Sequence, residues 1–332
     1  MSRVVLVTGV SRDLGARVAR ALAGGGRQVV GVDLTAPRHP LEAVTFVRAD
    51  LRTPVITGVL DRHRVDTVVH CALQGDDAIT SPAVAKEANI FGTMQLMAAC
   101  HGAPSVRHVV VRSTGQVYGA SPLDPACFTE DTAMLRPPRS GVGRDAMEME
   151  SLAQGLGRRR PEVAVTILRL ASLMGAHIDS PLTRWLSMPL VPRPWGFNAR
   201  LQFLHPADAV AAVGSVVEQE VSGIFNVAAQ DTLTLNQVLR ILGRPSLWLA
   251  RNHLGLQELG QRSSVLRFTP DQVRTVTWGR LIDGARLRTA TGFIPHYSSR
   301  RALEEFAAYA PLGLLAAERF RRAIAQVTRV LA

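Results

Sequence analysis

Proton transfer near neutral pH needs a side chain whose pKa the fold can tune, and this chain holds few of them. Its one lysine is Lys86, and its tyrosines are Tyr118, Tyr297 and Tyr309. A tyrosine with a lysine one helical turn later makes an effective proton carrier, because the ammonium favours the phenolate. No tyrosine here has that partner. Tyr297 is followed by Arg301, and a guanidinium is no adjustable substitute for an amine. A second set of residues with chemical meaning lies at the start of the chain, where Thr8-Gly9 closes a β-branched run, Gly15 follows, and Asp33 ends a second apolar run. Gly9 permits a tight turn, and Gly15 lets a helix pack closely on its strand. The amides of that helix's first turn, with their partial positive charge, suit a pyrophosphate, and Asp33 can accept ribose hydroxyls.

These residues need a strand, a turn, a helix and a second strand in that order. The apolar runs predict strands over 4–7, 28–32 and 44–47 and a helix over 14–23. Strands and helices then alternate to about residue 170, which predicts an α/β fold: a doubly wound parallel sheet whose strand C-termini line a cofactor crevice. Residues 171–332 are expected to form a smaller substrate region, with the chain returning to the sheet between about 200 and 230. Segment 121–140, with Pro122, Pro125, Pro137 and Pro138, reads as a loop. So does 180–197, where Pro181, Pro189, Pro192 and Pro194 suggest a fixed surface loop, and Arg184, Trp185, Arg193 and Trp195 suit an anionic or apolar ligand.

The segment Thr8-Gly9-Val10-Ser11-Arg12-Asp13-Leu14-Gly15 resembles the T-G-x-x-G-x-x-G of extended short-chain dehydrogenases/reductases, with Arg12 at the middle glycine. Other matches follow in chain order. Ala49-Asp50-Leu51 is similar to the family's adenine-contacting acid and apolar residue, and Val68-Val69-His70-Cys71-Ala72 to its fourth strand and H-x-A turn. Asn89-Ile90-Phe91-Gly92-Thr93 resembles the N-x-x-G-T that opens a long helix, and Ser113-Thr114-Gly115-Gln116-Val117-Tyr118-Gly119 resembles a strand end of the form S-S/T-x-x-V-Y-G. The segments Ile167–Leu170, 203–208 and Gly223–Val227 extend the likeness over nearly the whole chain. It is a likeness to the NAD-dependent epimerase/dehydratase branch, of UDP-glucose 4-epimerase type. The resemblance implies a Rossmann fold that binds NAD through Gly9, Ser11, Arg12, Asp13, Leu14, Gly15, Asp33, Asp50, Leu51, Cys71, Ala72, Asn89 and Ser113. Asp33 would repel a 2′-phosphate and so favours NAD over NADP, whereas Arg12 would partly offset that repulsion or pair with a phosphate itself.

In that family a Tyr on the next helix moves the proton while nicotinamide exchanges hydride, and a Lys one turn on tunes it. The aligned segment 140–150 carries Val142 at the Tyr and Ala146 at the Lys. Thr114 keeps the hydroxyl that bonds the reacting oxygen. The replacement proton carriers to weigh are Tyr118, best placed beside the substrate pocket, then Asp145, Glu148 and His177. Asp145 is expected to face solvent, a quarter-turn from the lost lysine, and Glu148 and Glu150 read as a solvated helix face. On the substrate side Ser172 stands where epimerases place an Asn, and Leu201 where they place a pyrophosphate-gripping Arg. Arg200 is one residue off, and a one-residue shift in a strand reverses the face.

Composition sets outer bounds. Length 332 and 47% hydrophobic residues suit one large core. Cys71, Cys100 and Cys127 form no C-x-x-C pair, and the adjacent pairs His70-Cys71 and Cys100-His101 do not converge as ligands, so no metal is expected and a cytoplasmic setting is. No signal peptide or membrane span is expected. The net charge of +11 comes from arginines spread along the chain, which argues against nucleic acid as a partner. At the C-terminus Leu315, Phe320, Ile324, Val327 and Leu331 among Arg319, Arg321, Arg322 and Arg329 make a basic amphipathic tail, which would pack on its own domain or a partner, or lie on an anionic membrane. By family analogy the chain would form a homodimer. The activity implied is that of an NAD-dependent epimerase/dehydratase-like oxidoreductase, acting on a nucleotide sugar or related metabolite with a rebuilt catalytic site. The alternative is an NAD(H)-binding sensor or scaffold that has lost catalysis.

Overall fold

The computed structural model describes residues 3–75, 81–250 and 270–309. The expected basic tail therefore lies outside the described residues. The first half runs β1 (Val4–Thr8), α1 (Asp13–Gly24), β2 (Gln28–Asp33), β3 (Val44–Arg48), α2 (Val55–His63), β4 (Thr67–His70), α3 (Pro82–Gly102), β5 (His108–Thr114), a 3₁₀ turn (Gly115–Tyr118), α4 (Gly141–Arg159) and β6 (Ala164–Leu170). The second half adds β7 (Ser172–Leu173), α5 (Pro181–Leu186), β8 (Val191–Pro194), β9 (Arg200–Leu201), β10 (Phe203–Leu204), α6 (Pro206–Gln219), β11 (Gly223–Val227), β12 (Leu233–Thr234), α7 (Leu235–Ile241) and β13 (Ser246–Leu249). Three helices, Pro270–Trp278, Ala285–Thr291 and Ser299–Tyr309, follow.

Seven strands form one parallel sheet in the order β11-β6-β5-β4-β1-β2-β3. Strands buried on both faces need side chains that are apolar throughout, which is why β1 reads Val-Val-Leu-Val-Thr with no alternation. One face packs on α2, α3 and α4 through residues such as Leu6, Leu60, Leu96 and Leu156; the other packs on α1 and α6 through Val7, Val18, Val213 and Phe225. The order reverses between β1 and β4, and a crevice opens there beyond their C-terminal ends. The chain returns to this sheet at β11. A separate apolar cluster, built on Trp185, Phe203, Leu239, Leu303 and Phe306, supports the smaller lobe.

Three local expectations are corrected. Asn89 does not open a helix: α3 starts at Pro82, where the Ser81 side chain caps the Val84 amide, so Asn89 lies two turns inside. Segment 180–197 is not a loop. Ser180 and Thr183 form a reciprocal cap that starts α5, and β8 pairs with β13 in register from Val191 opposite Ser246 to Pro194 opposite Leu249. Glu150 is not on a solvated face, as described below.

Two core histidines give the fold an acid limit. His70, at the end of β4, is buried between the Thr8 hydroxyl at 2.7 Å and the Thr93 hydroxyl at 2.9 Å, and burial pushes its pKa down to about 4. His108, on β5, faces the Thr166 hydroxyl at 2.8 Å and is also pushed down to about 4, chiefly by burial. Unfolding lets both recover an ordinary pKa near 6.5, so between pH 6.5 and 4 the unfolded chain binds more protons than the folded one. Their contribution is whole above pH 6.5 and is lost as the pH falls toward 4, by roughly 3 kcal/mol for each histidine. Urea midpoints measured from pH 7 to pH 4 are expected to fall steeply over that window, and less steeply in His108→Gln; a flat profile overturns the assignment.

Candidate active site

The crevice is shaped by close backbone contact. Gly9 follows β1 with φ +76°, and a Cβ there would lie 2.9 Å from the Ala72 backbone beyond β4. At Gly15 a Cβ would lie 2.2 Å from the Gly9 carbonyl oxygen. The two glycines therefore bring the start of α1 and the turn after β4 against the β1 turn, and the crevice fits the pyrophosphate of a dinucleotide. Arg12 caps α1 with φ −103° and ψ 154°, an extended conformation open to any residue, so replacing the middle glycine costs no backbone strain. Its amide donates to the Gly9 carbonyl at 3.1 Å. Leu14 is buried in the core, and Asp13 is exposed and paired with Arg17 at 2.9 Å.

Asp33 ends β2 beside this turn. Its carboxylate accepts from the Ser11 amide at 2.9 Å and the Leu34 amide at 2.7 Å, which fixes it at the rim where a ribose would lie. Asp50 is held by Arg52 through a 2.7 Å ion pair, and the hydrogen bond from Arg52 keeps its carboxyl below the usual range. Leu51 packs near the backbone of Gly92 on α3. Cys71 lies in the core, where burial pushes its thiol up to about 11.

Asn89 is fully buried and ties three parts together. Its side chain accepts from the Gln74 amide at 2.7 Å and donates to the Gln74 carbonyl at 3.0 Å and to Asp145 at 2.9 Å. The expectation that Asp145 faces solvent is thus corrected: it is buried in the α3–α4 interface. Burial raises its pKa, with Asn89 and Lys86 opposing. The two positions expected to align with the family's Tyr and Lys lie in apolar packing. Ala146 is fully buried with Val117, Tyr118, Phe128 and Met149, and Val142 packs on the same cluster.

Ser113 and Tyr118 turn away from the crevice into a buried polar chain. The Ser113 hydroxyl donates to Glu150 at 2.5 Å, Arg169 pairs with Glu150 at 2.6 Å and donates to the Tyr118 hydroxyl at 2.9 Å, and that hydroxyl donates to Asn226 at 2.9 Å. Tyr118 also stacks on Phe128 at 4.7 Å, and only 1% of it is exposed. Burial raises its pKa despite Arg169. Burial works against the Arg169 charge, but Glu150 outweighs it and the guanidinium is held above its ordinary value. Glu148 is engaged by Arg144 at 2.9 Å, and the His177 ring lies against Tyr309 with centroids 3.7 Å apart and planes tilted by 53°.

Thr114, at the end of β5, does face a cleft, which continues past Gly115 and Gln116 to Ser172, Leu201, Gln202 and Arg280. Leu201 is buried and Arg200 exposed, so the strand turns its arginine away, as the one-residue shift requires. Arg280 is the cation that lines this cleft. It follows helix Pro270–Trp278, donates to the Gly119 carbonyl at 3.0 Å, and has its pKa pushed down to about 10 by burial, with Asp271 and Asp124 opposing. It stays protonated at neutral pH. Sequence reasoning missed Arg280 because no local motif marks it, and its place in the cleft depends on contacts with residues 161 positions away.

A model of the NAD dependent epimerase/dehydratase family matches residues 5–228. An uncharacterised protein of Mycobacterium tuberculosis is 39% identical over 312 residues, which are 92% of this chain and 83% of that protein. A 3-diazoavenalumate denitrifying reductase from a Streptomyces species is 28% identical over 90% of this chain and 97% of its own length. Among solved structures, the UDP-glucuronic acid 4-epimerase of Bacillus cereus, in complex with UDP-glucuronic acid and NAD, superposes with a TM-score of 0.71 at 18% identity, over 92% of this chain and 98% of that one.

Proposed function

The chain belongs to the NAD-dependent epimerase/dehydratase family, and on that premise we propose that it is a cytoplasmic NAD(H)-linked oxidoreductase acting on an anionic small molecule, a nucleotide sugar or a related metabolite. The observation that carries this reading is the pairing of an intact dinucleotide crevice with a cleft that holds both a hydroxyl, Thr114, and a protonated guanidinium, Arg280. Residues 1–170, with the return at 200–230, hold the cofactor, and the remainder holds the substrate. Nicotinamide supplies hydride exchange when bound. Thr114 donates a hydrogen bond to the reacting oxygen, and Arg280 holds the substrate's anionic group where water is scarce and the attraction is strong. Asn89, fixed by Asp145, positions the 72–75 turn beneath the cofactor.

The proton route is not that of a Tyr–Lys pair. Val142 and Ala146 carry no proton, and the Tyr118 hydroxyl gives its proton to Asn226 while accepting from Arg169, so the proton goes to solvent in the cleft or to a group on the substrate. Loss of a positioned acid–base group typically slows turnover by about 10²–10⁴, and slow turnover is expected. The similar fold of epimerases that bind nucleotide sugars supports the substrate class, and a reductase among the relatives supports simple hydride transfer. A homodimer through the outer face of α3, where Val84, Phe91 and Met94 are exposed, fits the same reading.

The test is a calorimetric titration with NADH, then a screen of UDP-sugars and other phosphorylated substrates at 340 nm. Arg280→Gln is expected to raise KM at least about tenfold, since a charge-assisted hydrogen bond is worth roughly 1.5–3 kcal/mol, while NADH affinity is unchanged. An unchanged KM removes Arg280 from the substrate site. The apolar packing of Ala146 and Val142 favours a second reading, an NAD(H)-binding protein without catalysis. NADH binding without turnover of any substrate in the screen selects it.

A further inference from the structure

The smaller lobe has an unbalanced charge that the oxidoreductase reading does not use. Segments 180–204 and 232–250 contain Arg184, Arg193, Arg200, Arg240 and Arg244 and no Asp or Glu. The acids on the helices beside them are already engaged: Asp271 faces Arg274 at 3.5 Å, Glu304 faces Arg300 at 3.7 Å, and Glu305 bonds His205 at 2.9 Å. Arg184 pairs with Asp179 at 2.6 Å. No such acid meets Arg240 or Arg244 among the described residues. Arg240 lies in the last turn of α7 and Arg244 just past its end, beyond the left-handed Gly243, and both line a cleft of about 580 Å³, counting its space open to solvent, whose other walls include Leu186, Ile241, Leu242 and Phe306. Arg244 is half-buried, and burial alone lowers its pKa.

Beside this cleft, the β8–β13 ribbon presents two large aromatic side chains. Trp195 is 74% exposed and Trp248 48% exposed. The Arg193 guanidinium lies 3.8 Å from the Trp248 ring centroid, directly across the ribbon. Three residues separate Arg244 from Trp248, so their Cα atoms are at most about 14 Å apart. Unpaired guanidiniums, apolar walls and tryptophans with wet edges are what the boundary between lipid headgroups and acyl chains accommodates. A nucleic acid would call for a groove along which aromatic residues alternate with cations, whereas here the tryptophans project from a short ribbon next to an apolar cleft.

We infer that this lobe docks the protein on an anionic lipid surface: Arg240 and Arg244 engage lipid phosphates, and Trp195 and Trp248 enter the interface. The enzyme thereby sits at a membrane without any helix among the described residues that could cross one. The substitutions that test it leave the basic C-terminal tail intact.

The full chain is sedimented with vesicles of phosphatidylglycerol and phosphatidylcholine, and with vesicles of phosphatidylcholine alone. Binding is expected only to the first and should weaken with added salt. Each arginine near an anionic surface strengthens binding about fivefold, so Arg240→Gln with Arg244→Gln should weaken it roughly 30-fold. The tryptophan emission of the unaltered protein should shift to the blue on binding, and Trp195→Ala with Trp248→Ala should remove the shift. NADH titration confirms that each variant is folded. Equal binding to both vesicle types, no binding, or binding unaffected by the arginine pair overturns the inference. So does tighter binding to a single-stranded oligonucleotide that the same arginine pair abolishes.

Discussion

Gly15→Ala is expected to weaken NADH binding by about 100-fold or more, equivalent to roughly 2.8 kcal/mol. The added Cβ would lie 2.2 Å from the Gly9 carbonyl oxygen and 2.6 Å from its carbon, and neither atom can rotate away as a side chain would. Either α1 lifts from the sheet or the turn over 9–12 is displaced. Both outcomes pull the α1 amides away from the position a pyrophosphate takes. The turn cannot retreat, because Gly9 already lies against the Ala72 backbone. Gly24→Ala, at the other end of the same helix, is the control: a Cβ there meets nothing within 4 Å, and exchanging glycine for alanine in a helix is neutral or stabilising by up to about 1 kcal/mol. Calorimetry on the two variants, with circular dichroism to verify the fold, separates a steric lesion in the cofactor site from a general loss of helix stability. Equal NADH affinity in Gly15→Ala and the unaltered chain would mean that the crevice is not the cofactor site.

The second large effect is on stability. Glu150→Ala is expected to cost about 3–5 kcal/mol, because it leaves Arg169 as an uncompensated buried charge. The side chains of the pair are 5% and 4% exposed, and the carboxylate accepts from both Arg169 and Ser113. Arg169 would keep its contacts with Tyr118 alone among the described residues. Glu150→Leu combined with Arg169→Met removes both charges and is expected to recover much of the loss, since a buried ion pair is a weak source of net stability even when breaking it is costly. Denaturant midpoints for the single and double variants decide this. A single variant that loses under 1 kcal/mol would show that the carboxylate is hydrated, in conflict with its burial. The same network engages Tyr118, the best placed of the candidate proton carriers: its hydroxyl closes a chain of bonds that fastens β5, α4, β6 and β11 together.

The cofactor half of this protein was legible in its residues because the requirements are local. A tight turn needs Gly9, a close helix needs Gly15, and the acid at Asp33 follows from strand length, so all three can be read within about 25 residues of chain. That Val142 and Ala146 carry no titratable group needs no fold to be read. What periodicity could not decide was which face of α4 meets water. Asp145 and Glu150 read as solvated because carboxylates usually are. Their burial depends on Asn89, 56 residues earlier, and on Arg169, 19 residues later, whose side chains offset the cost of desolvation. Tyr118 reaches Asn226 across 108 residues, and Arg280 reaches the cleft across 161. Local pattern carries backbone geometry and the ability to titrate. Which charge is buried, which partner holds it and which side chain faces substrate are settled by contacts between distant segments, whose energies exist only once the chain has folded.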